Sequence, residues 1–355
     1  MRGAATRRGL VCVAVGATAM ALGAVSTTPT SRAVDRPGPR AAEALREQRA
    51  VARLAARGLP IFCGGGRANE VALTFDDGPT PLTPRLLAAL RRSSQPPTPA
   101  TFFLIGRSAV TYRAHARAEA ALGAVGAHTL THSTLTKLAT AAARRELAEG
   151  KRSVERAIGA PVRLFRPPGG HRSPAIDRLV AEQSLLSVLY TVDPRDWARP
   201  DAGSIAAAVV SDRRLVPGAI VVLHEFHRPT IEAIPAIVHS LRRCGLRLVS
   251  VPRLLADDPP TLAEQHEDAR AGSCVHLYRR LRARAESRLG DSDGLVRAGP
   301  PSPGYVVWVT PARRAAAERP PLLRTRHAAA RNSSSAARIP AASRPCAARC
   351  CAPVP

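Results

Sequence analysis

Short runs of apolar residues alternate with longer amphipathic segments between residues 60 and 274. The runs have the length of buried strands, and the longer segments have the length of helices. Thr83-Pro84 and Ser173-Pro174 are typical helix starts, and Gly159 with Pro161 close behind is a typical helix end. We therefore predict strands over 71–75, 100–105, a short run ending near 128, 163–165, 186–192, 219–223 and 246–251. We predict helices over 83–92, 108–122, 136–159, from 174 onward and over 230–243.

This alternation predicts right-handed βαβ units and a parallel sheet, either a closed barrel or an open doubly wound sheet. The placement of polar residues distinguishes the two. Asp76, His128, Arg166 and His224 each lie at the end of a different predicted strand. A barrel spreads its site over the ends of many strands, whereas an open sheet concentrates it at one switch point. We expect a distorted (β/α) barrel of parallel strands, with the active site at their C-terminal ends.

The segments on either side of this region have a different character. Residues 1–32 contain Arg2, Arg7 and Arg8 before a small-residue apolar run, and they resemble an export signal, loosely of the twin-arginine type. An uncleaved membrane anchor is the alternative. Residues 33–59 form a linker with a helical stretch over 41–57, residues 60–274 form the folded domain, and residues 275–355 form a low-complexity tail that we expect to be disordered. The protein is therefore expected to be secreted or associated with the cell surface.

The charge and the aromatic content of the chain limit the classes of partner that we expect. The net charge of +25 could favour an anionic polymer, but much of it lies in the tail, and aromatic residues make up 3% of the chain. Because aromatic residues do not alternate with the basic ones, we expect no nucleic-acid partner.

In an exported chain Cys63 and Cys274, which bracket the patterned region, could form a disulfide, with Cys244 as an alternative partner.

Two adjacent carboxylates, Asp76 and Asp77, end the first predicted strand in the segment Thr-Phe-Asp-Asp-Gly-Pro. Alone, an Asp-Gly pair is the ordinary chemistry of a turn. Adjacent residues that leave a strand point in different directions, however. One carboxylate could therefore bind a metal while the other accepts a proton from water.

The histidines of His-Thr-Leu-Thr-His, His128 and His132, strengthen the metal interpretation. Two histidines four residues apart can bind one metal from a helical turn, although histidine also occupies ordinary surface positions. With Asp77 they complete an Asp/His/His set that leaves positions open for water and substrate. The sequence therefore predicts a divalent metal site.

Six short motifs follow one another in this region: Thr-Phe-Asp-Asp-Gly-Pro (74–79), Ala-Thr-Phe-Phe-Leu-Ile-Gly (100–106), His-Thr-Leu-Thr-His (128–132), Phe-Arg-Pro-Pro-Gly (165–169), Asp-Pro-Arg-Asp-Trp (193–197) and Leu-His (223–224). In this order they resemble the polysaccharide deacetylases, carbohydrate esterase family 4, also called the NodB-homology domain. The resemblance covers about residues 60–274. It implies a hydrolase that acts on carbon–nitrogen bonds other than peptide bonds.

The resemblance also implies a role for each site residue. Asp76 would be the general base that activates water, and Arg166 would hold it ionised. His224 would be the general acid for the leaving amine, oriented by Asp196 or Asp193. The metal, commonly zinc in this family, would be bound by Asp77, His128 and His132.

Substrate contacts are implied in the same way. The backbone N–H of Gly169 would help to stabilise the oxyanion, and Trp197 and Leu223 would wall the acetyl pocket, although Trp197 could instead be a core residue. Two departures concern the sugar. Family members usually carry Asn or Asp where this chain has Ala127, and Pro-Tyr-Gly where it has Pro-Gly-Gly at 168–170. Neither departure removes a metal ligand or a proton carrier.

The implied activity is removal of N-acetyl groups from an amino-sugar polysaccharide by a secreted, metal-dependent enzyme that is expected to be monomeric. Peptidoglycan is the first candidate on charge and compartment, and chitin oligomers are the next. A non-catalytic carbohydrate-binding protein of the cell wall and an O-deacetylase of acetylated xylan are the alternatives. A serine hydrolase is not expected, because the sequence contains no Gly-x-Ser-x-Gly motif. Membrane contact is expected only through an uncleaved N-terminal segment.

Overall fold

The computed structural model describes residues 38–290, with side chains through residue 283. The predicted export segment and most of the predicted tail therefore lie outside the described residues. The contacts divide the chain after Ala42, and the unit that begins at Glu43 contains every described strand. None of the described helices is both long enough and apolar enough to cross a membrane.

Seven strands, all paired in parallel, form one sheet in the described part of the chain. They are β1 (Glu70–Gly78), β2 (Thr101–Leu104), β3 (Ala124–Ala127), β4 (Leu164–Phe165), β5 (Leu186–Ser187), β6 (Ile220–His224) and β7 (Arg247–Val249). The strand β1 is central, with β6 on one edge and β2 on the other, and its first residues also pair with β7. Residues 70–76 of β1 are all buried, as expected for a parallel strand covered on both faces.

The sheet closes on itself. From β1 it continues through β2, β3, β4 and β5 in sequence order. The chain that follows β5 then runs beside β6, where Val192 forms a parallel bridge with Val221. The N–H of Val192 donates to the Ile220 carbonyl (3.1 Å), and the N–H of Val222 donates to the Val192 carbonyl (3.0 Å). The fold is thus the predicted (β/α) barrel rather than an open sheet.

Eleven helices occur in residues 38–290. They are α1 (Pro39–Ala55), α2 (Thr83–Arg92), α3 (Gly106–Thr111), α4 (Arg113–Leu122), α5 (Thr140–Ile158), α6 (Pro174–Glu182), α7 (Ala202–Val210), α8 (Arg228–Arg243), α9 (Val251–Asp257), α10 (Leu262–Ala271) and α11 (His276–Gly290).

Local sequence explains several of the helix ends. The Ser173 side chain caps α6 by accepting the N–H of Ile176 (3.3 Å), with proline at the first helical position. Gly159 ends α5 in the left-handed conformation, as its position predicted. One predicted helix is in fact two, because Tyr112, with φ −109° and ψ 49°, leaves the helical region between α3 and α4.

Ordered structure extends past both predicted ends of the folded domain, residues 60 and 274. The helix α1 lies in the predicted linker, and its Val51 and Leu54 are buried in an apolar cluster with Leu254. At the other end, α11 continues the ordered chain beyond residue 274, with His276 and Leu277 buried. The expectation of disorder from residue 275 onward is therefore wrong for α11, because its first turn packs into the protein.

The disulfide joins Cys63 and Cys274, the first of the two pairings that the sequence allowed. Their Cα atoms are 5.9 Å apart, and 211 residues separate them in sequence. The bridge therefore ties the segment before β1 to the loop between α10 and α11.

Candidate active site

Asp77, His128 and His132 lie together at the carboxyl ends of β1 and β3. Asp77 Oδ1 is 3.1 Å from His132 Nε2 and 3.5 Å from His128 Nε2, and one ligand atom from each residue lies within 4.8 Å of the others. The His128 Nδ1–H donates to the Arg166 carbonyl (2.7 Å). Because a carbonyl can only accept, this bond fixes the ring so that Nε2 is the nitrogen that faces Asp77.

The donor set fits a divalent metal. Asp77 Oδ1 is buried and accepts no hydrogen bond from the described residues, so its charge needs a cation nearby. Burial raises the pKa of Asp77, but the two histidines outweigh burial and hold it below its ordinary value. Two ring nitrogens and one carboxylate oxygen are the ligands of many open zinc sites, in which the remaining position takes water or substrate. The His132 side chain is 45% exposed, which leaves one side of the triad accessible.

The segment 128–132 is not the helical turn that the histidine spacing suggested. Thr129 and His132 both have φ 63°, and Asp77 has φ 70°, so the backbone is left-handed at these three residues. The structure describes five non-glycine residues with positive φ. Four of them adjoin the site, namely these three residues and Arg195. Such conformations cost energy and persist where surrounding contacts enforce them, which is common at functional sites.

Residues of α5 enforce this turn. Glu146 Oε2 accepts the N–H groups of Leu130 and Thr131, both at 3.0 Å, and its Oε1 accepts the Thr131 hydroxyl at 2.8 Å. Four residues later, Gly150 lets α5 approach closely, because a Cβ there would lie 2.5 Å from the Thr129 carbonyl carbon. Sequence reasoning missed Glu146, since one acid on a charged amphipathic helix carries no distinguishing signal.

Asp76 faces a different partner from Asp77. Its Oδ1 accepts a hydrogen bond from Arg166 Nη1 (2.8 Å), and its Oδ2 lies 4.0 Å from His128 Nε2. Arg166 is fully buried, and it also donates to the carbonyls of Val188 (3.0 Å) and Leu189 (3.1 Å). These bonds fix the guanidinium beside the carboxylate. The predicted pairing of Arg166 with Asp76 is therefore present.

His224, at the end of β6, is oriented by Asp196. Its Nδ1 lies 2.8 Å from Asp196 Oδ1, and its backbone N–H donates to Asp196 Oδ2 (2.8 Å). The Thr230 hydroxyl donates to the same Oδ2 at 2.7 Å. The other candidate, Asp193, instead accepts the N–H of Arg195 (2.8 Å). The structure thus places Asp196 rather than Asp193 against the histidine.

The His224–Asp196 pair keeps a proton at neutral pH. Burial alone would lower the pKa of His224, but the hydrogen bond and charge of Asp196, with the charges of Asp76 and Asp77, raise it to about 9. Burial raises the pKa of Asp196, yet the bonds from His224 and Thr230 hold it below its ordinary value. An imidazolium oriented through Nδ1 can donate its other proton from Nε2.

Comparisons with known proteins agree with this geometry. The polysaccharide deacetylase family profile matches residues 64–187. A chitooligosaccharide deacetylase of Sinorhizobium fredii is 34% identical over 205 residues, covering 53% of this chain and 93% of the relative. A peptidoglycan-N-acetylglucosamine deacetylase of Bacillus cereus is 34% identical over 192 residues, covering 52% of this chain and 87% of the relative. The chain belongs to the polysaccharide deacetylase family. It is accordingly placed among hydrolases that act on carbon–nitrogen bonds other than peptide bonds.

Two solved structures of the family share the fold, each with a TM-score of 0.52 and 28% sequence identity. The Bc1960 peptidoglycan N-acetylglucosamine deacetylase is covered over 92% of its length by 55% of this chain. The BA3943 protein of Bacillus anthracis, a pseudoenzyme of the same family, is covered over 70% of its length by 57% of this chain. Because the family includes a pseudoenzyme, activity has to be argued from individual site residues.

The residues expected to contact substrate differ in exposure in this polysaccharide deacetylase. Trp197 is 49% exposed and is therefore not a core residue. Leu223 is fully buried on β6, in register with Phe75 of β1, and belongs to the hydrophobic core. Gly169 lies in the 3-10 turn 168–170 that follows Arg166.

Two aromatic residues near the site were missed from sequence. Phe226 is 47% exposed, and its ring centroid is 5.7 Å from that of His224. Tyr190 adjoins the turn in which this chain lacks the family tyrosine, since a Cβ on Gly170 would lie 3.0 Å from the Tyr190 hydroxyl. Phe226 could have been identified from its position two residues after His224, which ends a predicted strand. No sequence feature pointed to Tyr190, because the structure beyond β5 is irregular.

Replacing Glu146 with glutamine should weaken metal binding about tenfold, in the range seen for residues that orient metal ligands. The amide can accept through one oxygen, whereas Glu146 uses both of its oxygens to hold the turn between the two histidines. Isothermal titration of the metal-free protein with zinc measures the effect. Glu149→Gln, an exposed change on the same helix, is the matched control. Equal affinities for the two variants would show that Glu146 does not hold the ligands in place.

Proposed function

We propose that this protein is an exported, metal-dependent N-deacetylase that hydrolyses the acetamido groups of an amino-sugar polysaccharide. Peptidoglycan is the first candidate substrate, and chitin oligomers are the second. The observation that carries the proposal is the different surroundings of two adjacent carboxylates. Asp76 is paired with the buried Arg166, whereas Asp77 faces two histidine nitrogens. This arrangement separates proton transfer from metal binding.

Asp77, His128 and His132 would hold the cation, and their nitrogen and oxygen donors suit zinc. When bound there, a divalent cation supplies a Lewis acid for the acetyl carbonyl and makes water nucleophilic near neutral pH. Asp76, whose negative charge is stabilised by Arg166, would take the proton from the attacking water. The Gly169 N–H would donate to the developing oxyanion.

His224 would complete the reaction by protonating the leaving nitrogen. An amine is a poor leaving group until it is protonated, so amide hydrolysis needs an acid that keeps its proton at neutral pH. The pKa of about 9 for His224 meets that need, because Asp196 outweighs the effect of burial. A non-catalytic carbohydrate-binding protein would need neither this pair nor the Asp76–Arg166 pair.

The substrate assignment draws on the relatives and on the exposed aromatic residues. The Sinorhizobium fredii relative is a chitooligosaccharide deacetylase, and the Bacillus cereus relative is a peptidoglycan-N-acetylglucosamine deacetylase. Both names point to polymers that carry N-acetylated amino sugars. Trp197 follows Asp196 directly, and Phe226 lies beside His224, so one exposed ring adjoins the proposed acid and another follows the residue that orients it. Apolar faces of this kind can stack on sugar rings.

Acetate release by the purified full-length protein tests the proposed function. We expect release from peptidoglycan and from N-acetylated chitooligosaccharides, loss of release after treatment with a chelator, and recovery on addition of zinc. Acetylated xylan serves as the comparison substrate. No chelator-sensitive release from either amino-sugar polymer would contradict the proposal, and release from xylan alone would indicate an O-deacetylase.

Replacing Trp197 or Phe226 with alanine should raise KM for the polymer about tenfold, equivalent to roughly 1.4 kcal/mol, and leave kcat nearly unchanged. The rings would bind the sugar in the ground state and the transition state alike, so their loss affects binding rather than chemistry. Steady-state kinetics on a chitooligosaccharide series measure the effect. Leu262→Ala, an apolar residue of α10 with 50% exposure, is the control. Unchanged KM in both aromatic variants would place the sugar elsewhere.

A further inference from the structure

A second cluster of potential metal ligands surrounds the disulfide. Cys63, Asp268, Cys274 and His276 are all buried, and one ligand atom from each lies within 4.8 Å of the others. Cys63 Sγ is 3.6 Å from Asp268 Oδ2 and 3.9 Å from His276 Nδ1, and these two atoms are 2.7 Å apart. Two sulfurs, one ring nitrogen and one carboxylate oxygen thus meet at one point.

The Asp268 and His276 side chains are both oriented towards the sulfurs by hydrogen bonds on their far sides. Asp268 Oδ1 accepts the N–H groups of Val275 (2.9 Å) and His276 (3.2 Å), which leaves Oδ2 facing the cysteines. His276 Nε2 lies 3.1 Å from the Gly64 carbonyl and donates to it, which directs Nδ1 into the cluster. Histidine ligands of metals are typically held in this way by a backbone carbonyl. In the oxidised protein Asp268 Oδ2 and His276 Nδ1 also pair with each other (2.7 Å), directly beside the Cys63 sulfur.

We propose that reduction of the Cys63–Cys274 disulfide converts this cluster into a closed, four-ligand zinc site. A dithiol reductant would transfer two electrons and two protons to the disulfide, forming two cysteine thiols and its own disulfide. Binding of Zn²⁺ would then displace both thiol protons to solvent. Cys63, Cys274, Asp268 and His276 would fill all four tetrahedral positions, so the site would be structural rather than catalytic.

The geometry requires little movement. Around a tetrahedral zinc with Zn–S bonds of about 2.3 Å, two sulfurs lie roughly 3.8 Å apart. Two reduced, non-bonded sulfurs must separate to a similar distance, and Cys63 Sγ already lies 3.6 and 3.9 Å from the other two ligand atoms. The sulfurs must move apart, and Asp268 Oδ2 and His276 Nδ1, now 2.7 Å apart, must separate to roughly 3.3 Å, the spacing of two ligand atoms about 2.0–2.1 Å from a tetrahedral zinc.

The segment before β1 and the loop between α10 and α11 would then be linked in both redox states. The disulfide ties the loop between α10 and α11 to the segment that precedes β1. That segment supports Arg166 indirectly, because the Ile61 carbonyl accepts the Leu189 N–H (2.7 Å) and the Leu189 carbonyl accepts Arg166 Nη2 (3.1 Å). A zinc ion in the reduced protein would preserve the connection that the disulfide makes in the oxidised protein.

Cobalt binding to one full-length variant in two redox states tests the proposal. The variant keeps Cys63 and Cys274 and carries serine at the other five cysteine positions, 12, 244, 346, 350 and 351. After reduction with dithiothreitol and its removal without air, we expect two Co²⁺ per chain and a near-ultraviolet thiolate-to-cobalt absorption band. The oxidised form of the same variant should bind one Co²⁺ without that band, since the Asp77 triad has no sulfur ligand.

Two further variants in this background assign the ligands. His276→Gln should weaken binding of the thiolate-bound cobalt at least tenfold. His132→Asn should remove the other ion and leave the band in place. Circular dichroism follows folding in each sample. A reduced protein that binds a single Co²⁺ without the band, or one that unfolds on reduction and is not refolded by cobalt, would overturn the proposal. The sulfur band reports the cysteine site alone, whereas the ion without the band reports the Asp77 triad of the proposed function, so failure of one is distinguished from failure of the other.

Discussion

Replacing Asp76 with asparagine is expected to reduce deacetylation about a hundredfold to ten-thousandfold while leaving metal affinity unchanged. The amide has nearly the shape of the carboxylate and can still accept the Arg166 hydrogen bond through its oxygen. It cannot take a proton from water, however, and general-base catalysis contributes about 10²–10⁴ to such rates. Acetate release and zinc titration of the same preparation measure the two properties separately.

The neighbouring carboxylate provides the matched comparison. Asp77→Ala removes the oxygen that lies 3.1 Å from His132 Nε2 and 3.5 Å from His128 Nε2, so it should lose both metal binding and activity. Activity in Asp76→Asn near that of the unmodified protein would exclude Asp76 as the base. Loss of metal in both variants would show that the two carboxylates bind the cation together, and the proposed division of roles would then be wrong.

The barrel and the placement of these residues could be predicted from sequence because both follow from local patterns. Parallel strands buried on both faces appear as nearly continuous apolar runs, and residues 71–75 of β1 form such a run with Thr74 as its one polar member. Several of these runs end at a polar residue, and the carboxyl ends of parallel strands meet at one end of a barrel. Asp76, His128 and His224 therefore came together as expected, although they are distant in sequence.

The supporting contacts could not be predicted in this way, because they depend on which helix residue meets which loop. Glu119 shows the difficulty. The sequence of α4 gives no reason to bury an acid, yet Glu119 is fully buried. Burial, followed by the charge of Glu225, raises the pKa of Glu119 well above its ordinary value. A hydropathy pattern treats both acids as surface residues, and tertiary packing alone reveals the pair.

The backbone conformation of loops was a second feature that could not be predicted from sequence. A four-residue spacing of histidines suits a helix, but His128 and His132 converge through a turn with two left-handed residues. That turn depends on Glu146, which is 14 residues beyond His132 in sequence. The end of the folded region was misjudged for a similar reason. Residues from 276 onward lack apolar periodicity, but His276 is buried through its bonds to Asp268 and Gly64.

Replacing Asp196 with asparagine should lower kcat about a hundredfold at neutral pH and move the alkaline limb of the kcat–pH profile to lower pH. His224 would act as an acid, so activity depends on its protonated form and is lost as pH rises through its pKa. Burial lowers that pKa, and Asp196 is the principal group that offsets burial and raises it to about 9. The neutral amide removes this charge, and the histidine then loses its proton at lower pH.

Asp193→Asn distinguishes this effect from a general change in the charge of the loop. Asp193 accepts the Arg195 N–H, whereas Asp196 contacts both the ring and the backbone of His224. We expect the Asp193 variant to keep the alkaline limb and most of its kcat. An identical displacement in both variants would mean that the acid responds to the overall negative charge near it. A displacement in Asp196→Asn alone would assign the proton that reaches the leaving nitrogen to His224, because that pair is the one in which the carboxylate contacts the ring.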